Sequence, residues 1–182
     1  MSKRLVTVSK FLSKHLRHEP EALGITLAPG GWVAVDELLA GAMQSGFTID
    51  PEELKQVVAE SDKQRFAFDE TGTRIRANQG HSTEVDLELP EAVPPNVLYH
   101  GTVEKFLAAI LAEGLKKMAR HHVHLSPDTA TAVKVGERRG RPVILLVDAA
   151  AMHAAGYAFY ASTNGVWLTD HVPPRYLTRS SS

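Results

Sequence analysis

The chain has 182 residues, 43% of them hydrophobic, with ten prolines, thirteen glycines, no cysteine and a formal net charge of -1. That length and composition fit one average folded domain or two small lobes, and exclude a disulfide framework, a thiolate nucleophile and a thiolate metal site. No apolar stretch approaches a membrane span and the N-terminus lacks a signal-peptide core, so a cytoplasmic location is expected. The small net charge hides two basic tracts. Residues 3 to 17 hold Lys3, Arg4, Lys10, Lys14 and Arg17 with no acid, and residues 116 to 141 hold seven cations against Asp128 and Glu137. Local patches in a near-neutral chain suit an enzyme that grips a few phosphates better than a protein that coats nucleic acid.

Leu5, Val8, Phe11, Leu12 and Leu16 recur at helical spacing and predict a first helix that ends before Pro20, with Lys10, Lys14, Arg17 and His18 on its other face. A second helix is expected from Asp36 to Gln44, with Leu38, Leu39 and Met43 inward and Gly46 beyond its end. The third is marked by Asp50 as N-cap, Pro51 at the first helical position and Glu53 for a capping box, with Leu54, Val57 and Val58 inward. A hairpin follows: Phe66 and Phe68 alternate with Arg65 and Asp69, Glu70-Thr71-Gly72 turns, and Thr73 to Ala77 returns. Three helices and a hairpin read as a winged helix, with Arg65 entering the wing. Residues 84 to 95 look like a linker, from Glu84 to Pro94-Pro95, with Val85, Leu87 and Leu89 alternating as a short edge strand would. The serine tail at 180 to 182 is the one low-complexity tract. Beyond the linker, strands are expected at Val97 to His100, Val123 to Leu125, Val143 to Val147 and Val166 to Leu168. Helices are expected from Val103 to Ala112, stopped by Gly114, and from Thr129 to Val135. The fold class is therefore α+β, with lobes at 1–90 and 95–182.

Chemistry-bearing motifs fall in both lobes. Arg17-His18 offers a guanidinium fork that matches a phosphate and a side chain that moves protons near neutral pH; read locally, it is equally a solvated helix end favoured by the dipole. Arg65 is locally an ordinary exposed strand residue. His121, His122 and His124 suggest a metal, but no cysteine and no suitably spaced acid joins them, so no metal is expected. His100 and His124 read locally as core histidines. Gly101-Thr102 after His100 alters that reading, since a missing side chain lets a ligand approach the backbone and a hydroxyl can bond it.

Taken together, Arg17-His18, Gln79-Gly80-His81-Ser82, Tyr99-His100-Gly101-Thr102 and Val123-His124-Leu125-Ser126 resemble the NAD-dependent RNA 2′-phosphotransferases over nearly the whole chain. The resemblance implies an N-terminal winged-helix lobe that holds the RNA 2′-phosphate and a C-terminal lobe of ADP-ribosyltransferase fold that holds NAD, which is consumed. It carries the family's essential set onto Arg17, His18, Arg65 and Arg138. Where the family shows Gly-x-Arg-His-Gly, this chain reads Gly136-Glu137-Arg138-Arg139-Gly140; register from Gly136 gives Arg138, with Arg139 the neighbouring alternative. The NAD residues become His100, Gly101, Thr102, His124, Ser126 and Val166, and Lys10, Lys14, Arg17 and Arg65 meet the RNA phosphate. Val166 stands where many protein-modifying relatives place a glutamate, which points away from protein acceptors. The implied substrate is RNA with an internal 2′-phosphate, such as a tRNA splice junction, acted on by a monomer without metal. Two rival functions stay open: NAD-dependent ADP-ribosylation of terminal nucleic-acid phosphates, and a non-catalytic winged-helix nucleic-acid binder.

Overall fold

A computed structural model describes residues 2–61, 64–83 and 85–180; Glu84 of the expected linker and Ser181 and Ser182 of the serine tail lie outside the described residues. The chain divides into two compact units, Met1–Glu88 and Leu89–Ser182. It is a mixed α and β protein whose sheets are small and antiparallel, and no helix among the described residues is long and apolar enough to cross a membrane.

In the first unit, α1 (Lys3–His15) starts where the Ser2 hydroxyl accepts the Leu5 N–H. Leu5, Val8 and Leu12 are buried, and the helix stops before Pro20, which opens a short 3-10 turn. Arg17 and His18 thus lie just past the helix, in a turn closed by the His18 N–H to the Lys14 carbonyl. Then come β1 (Trp32–Ala34), α2 (Val35–Gln44) and α3 (Pro51–Glu60). The α3 capping box is complete: Asp50 accepts the Glu52 N–H at 2.8 Å and Glu53 accepts the Asp50 N–H at 3.2 Å. Met43, expected inward, is 63% exposed. The buried stripe of α2 runs instead through Leu38, Gly41 and Ala42, because the bare Gly41 Cα lets the Leu23 backbone pack against the helix. The hairpin forms as β2 (Phe66–Phe68) and β3 (Arg74–Ala77), its turn tied by Asp69 accepting the Thr73 and Arg74 N–H groups, both at 3.0 Å. β3 is central, between β2 and the unanticipated β1. Phe66, Ile75 and Ala77 face the core with Val33 and the three helices' apolar faces.

Residues 85 to 90 form no edge strand. Leu87 is buried, 7% exposed, beside Gly31, while the Asp86 carbonyl accepts the Gly30 N–H at 2.6 Å, so Asp86 and Leu87 pack as irregular chain within the first unit. The alternating acids leave only one apolar side chain deeply buried, too little to hold a strand there.

The second unit begins with β4 (Val97–Val103), longer than expected because Gly101-Thr102 continue the pairing, and α4 (Glu104–Glu113), stopped at Gly114 with φ 83°. It continues through β5 (Leu115–Lys116), β6 (Val123–Leu125), α5 (Thr129–Gly136) and β7 (Pro142–Asp148). The rest is α6 (Ala149–Ala154), β8 (Tyr160–Ala161), β9 (Trp167–Thr169), β10 (His171–Val172) and β11 (Leu177–Arg179). The sheets are β11-β7-β4, β6-β9-β8 and the pair β10-β5. Leu98, Leu125, Leu145, Val147, Met152 and Phe159 centre the core. β9 starts one residue later than expected, leaving Val166 in the preceding turn.

Candidate functional site

In the first unit three chain segments meet around Arg17. Its carbonyl accepts the N–H of Ser82 at 2.8 Å and of Thr83 at 3.3 Å, and its guanidinium reaches the Arg65 carbonyl at 3.5 Å and lies 5.8 Å from the Phe66 ring centre. Arg65 is held through its backbone: its N–H donates to the Ser61 hydroxyl and its carbonyl accepts the Asn78 N–H at 2.9 Å. Asn78 in turn donates from Nδ2 to the Gln64 carbonyl at 2.6 Å. His18 is exposed, with Nδ1 2.8 Å from the Ser82 hydroxyl. The segment from Gln79 to Ser82 is therefore a brace for the Arg17-His18 turn, anchored by His81, which is 1% exposed. Two arginines and a histidine are gathered here, residue types that together can bind an anion and move a proton.

The basic face of α1 is less uniform than its sequence. Arg4 makes a two-pronged bond to Glu53, at 2.8 and 2.9 Å, and Lys14 pairs with Glu19 at 2.9 Å. Lys10 is exposed on the same helix. Folding thus supplies acids to a tract that has none of its own.

In the second unit His100 sits on β4 and its Nδ1 lies 3.1 Å from the His124 carbonyl. Burial lowers the His100 pKa first; the bond to that carbonyl opposes, and the Arg139 charge lowers it further. His124 on β6 bonds through Nδ1 to the Arg120 guanidinium at 3.2 Å. Arg120 is itself held below its ordinary value by desolvation and by the positive charges of Arg139 and Arg138, so three arginines share one neighbourhood with the two histidines. Ser126 joins β6 to β4 by reciprocal backbone bonds with Tyr99, at 2.9 and 2.8 Å. Arg138 and Arg139 are exposed in a 3-10 turn after α5. Val166 is fixed by the Ser162 hydroxyl, which accepts its N–H at 3.1 Å and donates to its carbonyl at 2.9 Å.

Gly101 answers to the protein interior: a Cβ there would run into the Ala132 carbonyl, so its bareness admits the α5 backbone against β4. Thr102 is buried at 6% exposed on the same strand. Among the described residues no three of histidine, cysteine, aspartate or glutamate come together as a metal would require.

The model of the RNA 2′-phosphotransferase, Tpt1 / KptA family matches residues 3–171. A probable RNA 2′-phosphotransferase of Nostoc punctiforme is 62% identical over 176 residues, 97% of each chain. Proteins with the same description from Streptomyces coelicolor, 62% identical over 96% of this chain and 94% of the relative, and Hahella chejuensis, 52% identical over 98% and 96%, are similar along nearly their whole length. The chain belongs to this family.

Two residues at these centres stand out whose contacts the linear pattern does not show. Ser82 was visible inside the Gln79-Gly80-His81-Ser82 motif, but its bond to His18, sixty-four positions away, was not. Arg120 had only its place in a basic tract as a signal, since its contact with His124 spans an irregular turn.

Proposed function

We propose that this chain removes an internal RNA 2′-phosphate, as at a tRNA splice junction, by transferring it to NAD. The first unit, read as a winged helix, receives the phosphate; the second, read as an ADP-ribosyltransferase-like lobe, receives NAD. The convergence of Arg17, His18, Arg65 and Ser82 supports this reading most directly, because it concentrates two permanent cations and a proton carrier on backbone-fixed turns.

In the first step a 2′-phosphate oxygen bonds to the anomeric carbon of the nicotinamide ribose, and nicotinamide leaves with the pair of the broken C–N bond. The leaving group is already cationic, so this step needs alignment and charge shielding more than a base. In the second, the ribose 2″-hydroxyl attacks phosphorus and the bond to the RNA 2′-oxygen breaks, giving 2′-hydroxyl RNA and ADP-ribose 1″,2″-cyclic phosphate. Arg17 and Arg65 offset charge building on phosphorus, and His18, oriented by Ser82, carries the proton between the two oxygens. Arg138 serves the phosphate and ribose. His100, His124, Ser126 and Val166 hold the dinucleotide, with Gly101 and Thr102 shaping the strand that carries His100.

The test is incubation with NAD and an oligonucleotide bearing one internal 2′-phosphate, followed by mass analysis. Nicotinamide, 2′-hydroxyl RNA and the cyclic phosphate are expected in equal amounts. Inorganic phosphate as first product, or an ADP-ribosylated terminal phosphate with the 2′-phosphate intact, would overturn the reading.

A further inference from the structure

Asn78 grips two consecutive carbonyls of the chain that enters β2. Its N–H donates to the Arg65 carbonyl at 2.9 Å, which continues the pairing of β2 with β3 and would do so for most residues placed there. Its side chain is more particular: Nδ2 donates to the Gln64 carbonyl at 2.6 Å. A carbonyl only accepts, so the sense of the amide is fixed and Oδ1 is turned away from Gln64. Asn78 is 4% exposed, and that oxygen is buried with no hydrogen bond among the described residues. Burying an unbonded amide oxygen lowers stability. A leucine has nearly the same shape and would fill the space without that loss, so stability alone does not account for an asparagine here.

Gln64 shows what the amide holds. Its φ is 40°, in the left-handed region that a residue with a Cβ rarely enters. The residue is exposed, so packing of its side chain does not enforce that conformation. Hydrogen bonds tie it at both ends, its N–H to the Ser61 carbonyl at 2.8 Å and its carbonyl to Asn78 Nδ2. The next residue is Arg65, whose N–H donates to the Ser61 hydroxyl and whose carbonyl also receives the Arg17 guanidinium. The direction in which Arg65 leaves the chain therefore follows from the torsion held at Gln64.

We propose that Asn78 is a positioning residue for Arg65: its side-chain amide clamps Gln64 in the left-handed conformation, and that backbone setting aims the Arg65 guanidinium at the anion that Arg17 and His18 also meet. The choice of a phosphate as that anion rests on the proposed function; the clamp on Gln64 does not. Stability is given up at Oδ1 so that a strained turn beside the candidate site keeps one conformation.

The experiment measures, without NAD, the affinity of the full chain for an oligonucleotide bearing one internal 2′-phosphate against the same sequence lacking it. Asn78→Leu keeps the backbone bond and removes the clamp. It should melt no lower than the unaltered protein, yet its preference for the phosphorylated strand should fall about fivefold, the effect of one hydrogen bond. In an Arg65→Ala background the same substitution should bring no further loss, because it acts through Arg65. Gln64→Gly, which holds a positive φ without strain, should return most of the preference to Asn78→Leu. Amide exchange of the unliganded chain supplies a second reading: Asn78→Leu should speed exchange at Gln64 and Arg65 about fivefold while β3 keeps its rates. Full preference in Asn78→Leu, unaltered exchange at Gln64 and Arg65, or an equal loss whether or not Arg65 is present would each overturn the proposal. So would a marked fall in melting temperature with faster exchange throughout the first unit, which would make Asn78 a residue of the fold alone. An unaltered chain with no preference for the 2′-phosphate would instead sink the proposed function and leave the clamp to be judged on amide exchange.

Discussion

The two candidate centres are built differently. In the first unit, Arg17, His18 and Arg65 sit at the ends of elements and are held by chain from elsewhere in the unit, the Ser82–Thr83 backbone above all. In the second, His100 and His124 sit within strands, and their orientation is set by a neighbouring carbonyl and a neighbouring guanidinium. A group on a braced turn keeps exposure and reach, which suits proton transfer and the shielding of a mobile phosphate. A group inside a strand gives up reach for a fixed direction, which suits holding a cosubstrate.

If that contrast is right, damage to the first centre should be chemical and damage to the second largely structural. The largest effect is expected for Arg65→Ala, which should lower 2′-phosphate removal about 10²-fold or more in single-turnover assays with a smaller effect on thermal stability, since the backbone bonds of Arg65 to Ser61 and Asn78 remain in the variant. Gly101→Ala should do the converse: with the Ala132 carbonyl in the way, α5 must shift off β4, at a cost of about 1–3 kcal/mol in urea denaturation. A fully stable Gly101→Ala protein would show that α5 yields easily and that the second centre is less rigid than described.

How much of this was legible in the linear pattern differs between the units for the same reason. Helices α1 to α3 and the hairpin were readable because each carries its own periodicity and caps, Asp50-Pro51 and Glu53 most plainly. The three-residue β1 was not, since Trp32 to Ala34 is too short to show alternation and pairs with β3 forty residues away. Met43 was misplaced because its helical spacing fits the stripe, and only the close packing of Leu23 on Gly41 turns it outward. In the second unit the short strands β5, β8, β10 and β11 escaped notice, since two or three residues carry no period, and helix α6, at six residues, spans under two turns. Candidate residues were found by motif, whereas their braces, Ser82 and Arg120, were not, because a hydrogen bond across sixty-four positions or an irregular turn leaves no trace in spacing.

Smaller effects sharpen the contrast further. Ser82→Ala removes the bond that orients His18, worth about 1 kcal/mol, so the second chemical step should slow roughly fivefold with KM for NAD unchanged. A rise in that KM would mean that Ser82 serves the dinucleotide instead. The smallest effect concerns Glu53, whose carboxyl is lowered to about 2 by the Arg4 guanidinium first and the Asp50 N–H second. A depressed carboxyl adds stability above its ordinary value and loses it as pH falls through about 2, so Glu53→Gln should flatten the acid limb of a stability profile between about pH 4.5 and 2. The pair is exposed, so the change should shrink in high salt and leave turnover at neutral pH untouched.

The most direct measurement of the proposed division of labour is a rapid-quench time course with NAD and an internally 2′-phosphorylated oligonucleotide, comparing His18→Ala with His100→Ala by mass. His18→Ala should consume RNA and build up a heavier species carrying ADP-ribose on its 2′-phosphate, because the proton carrier of the second step is gone. His100→Ala should consume RNA slowly and build up none. Equal slowing by both variants with no intermediate in either would contradict the account.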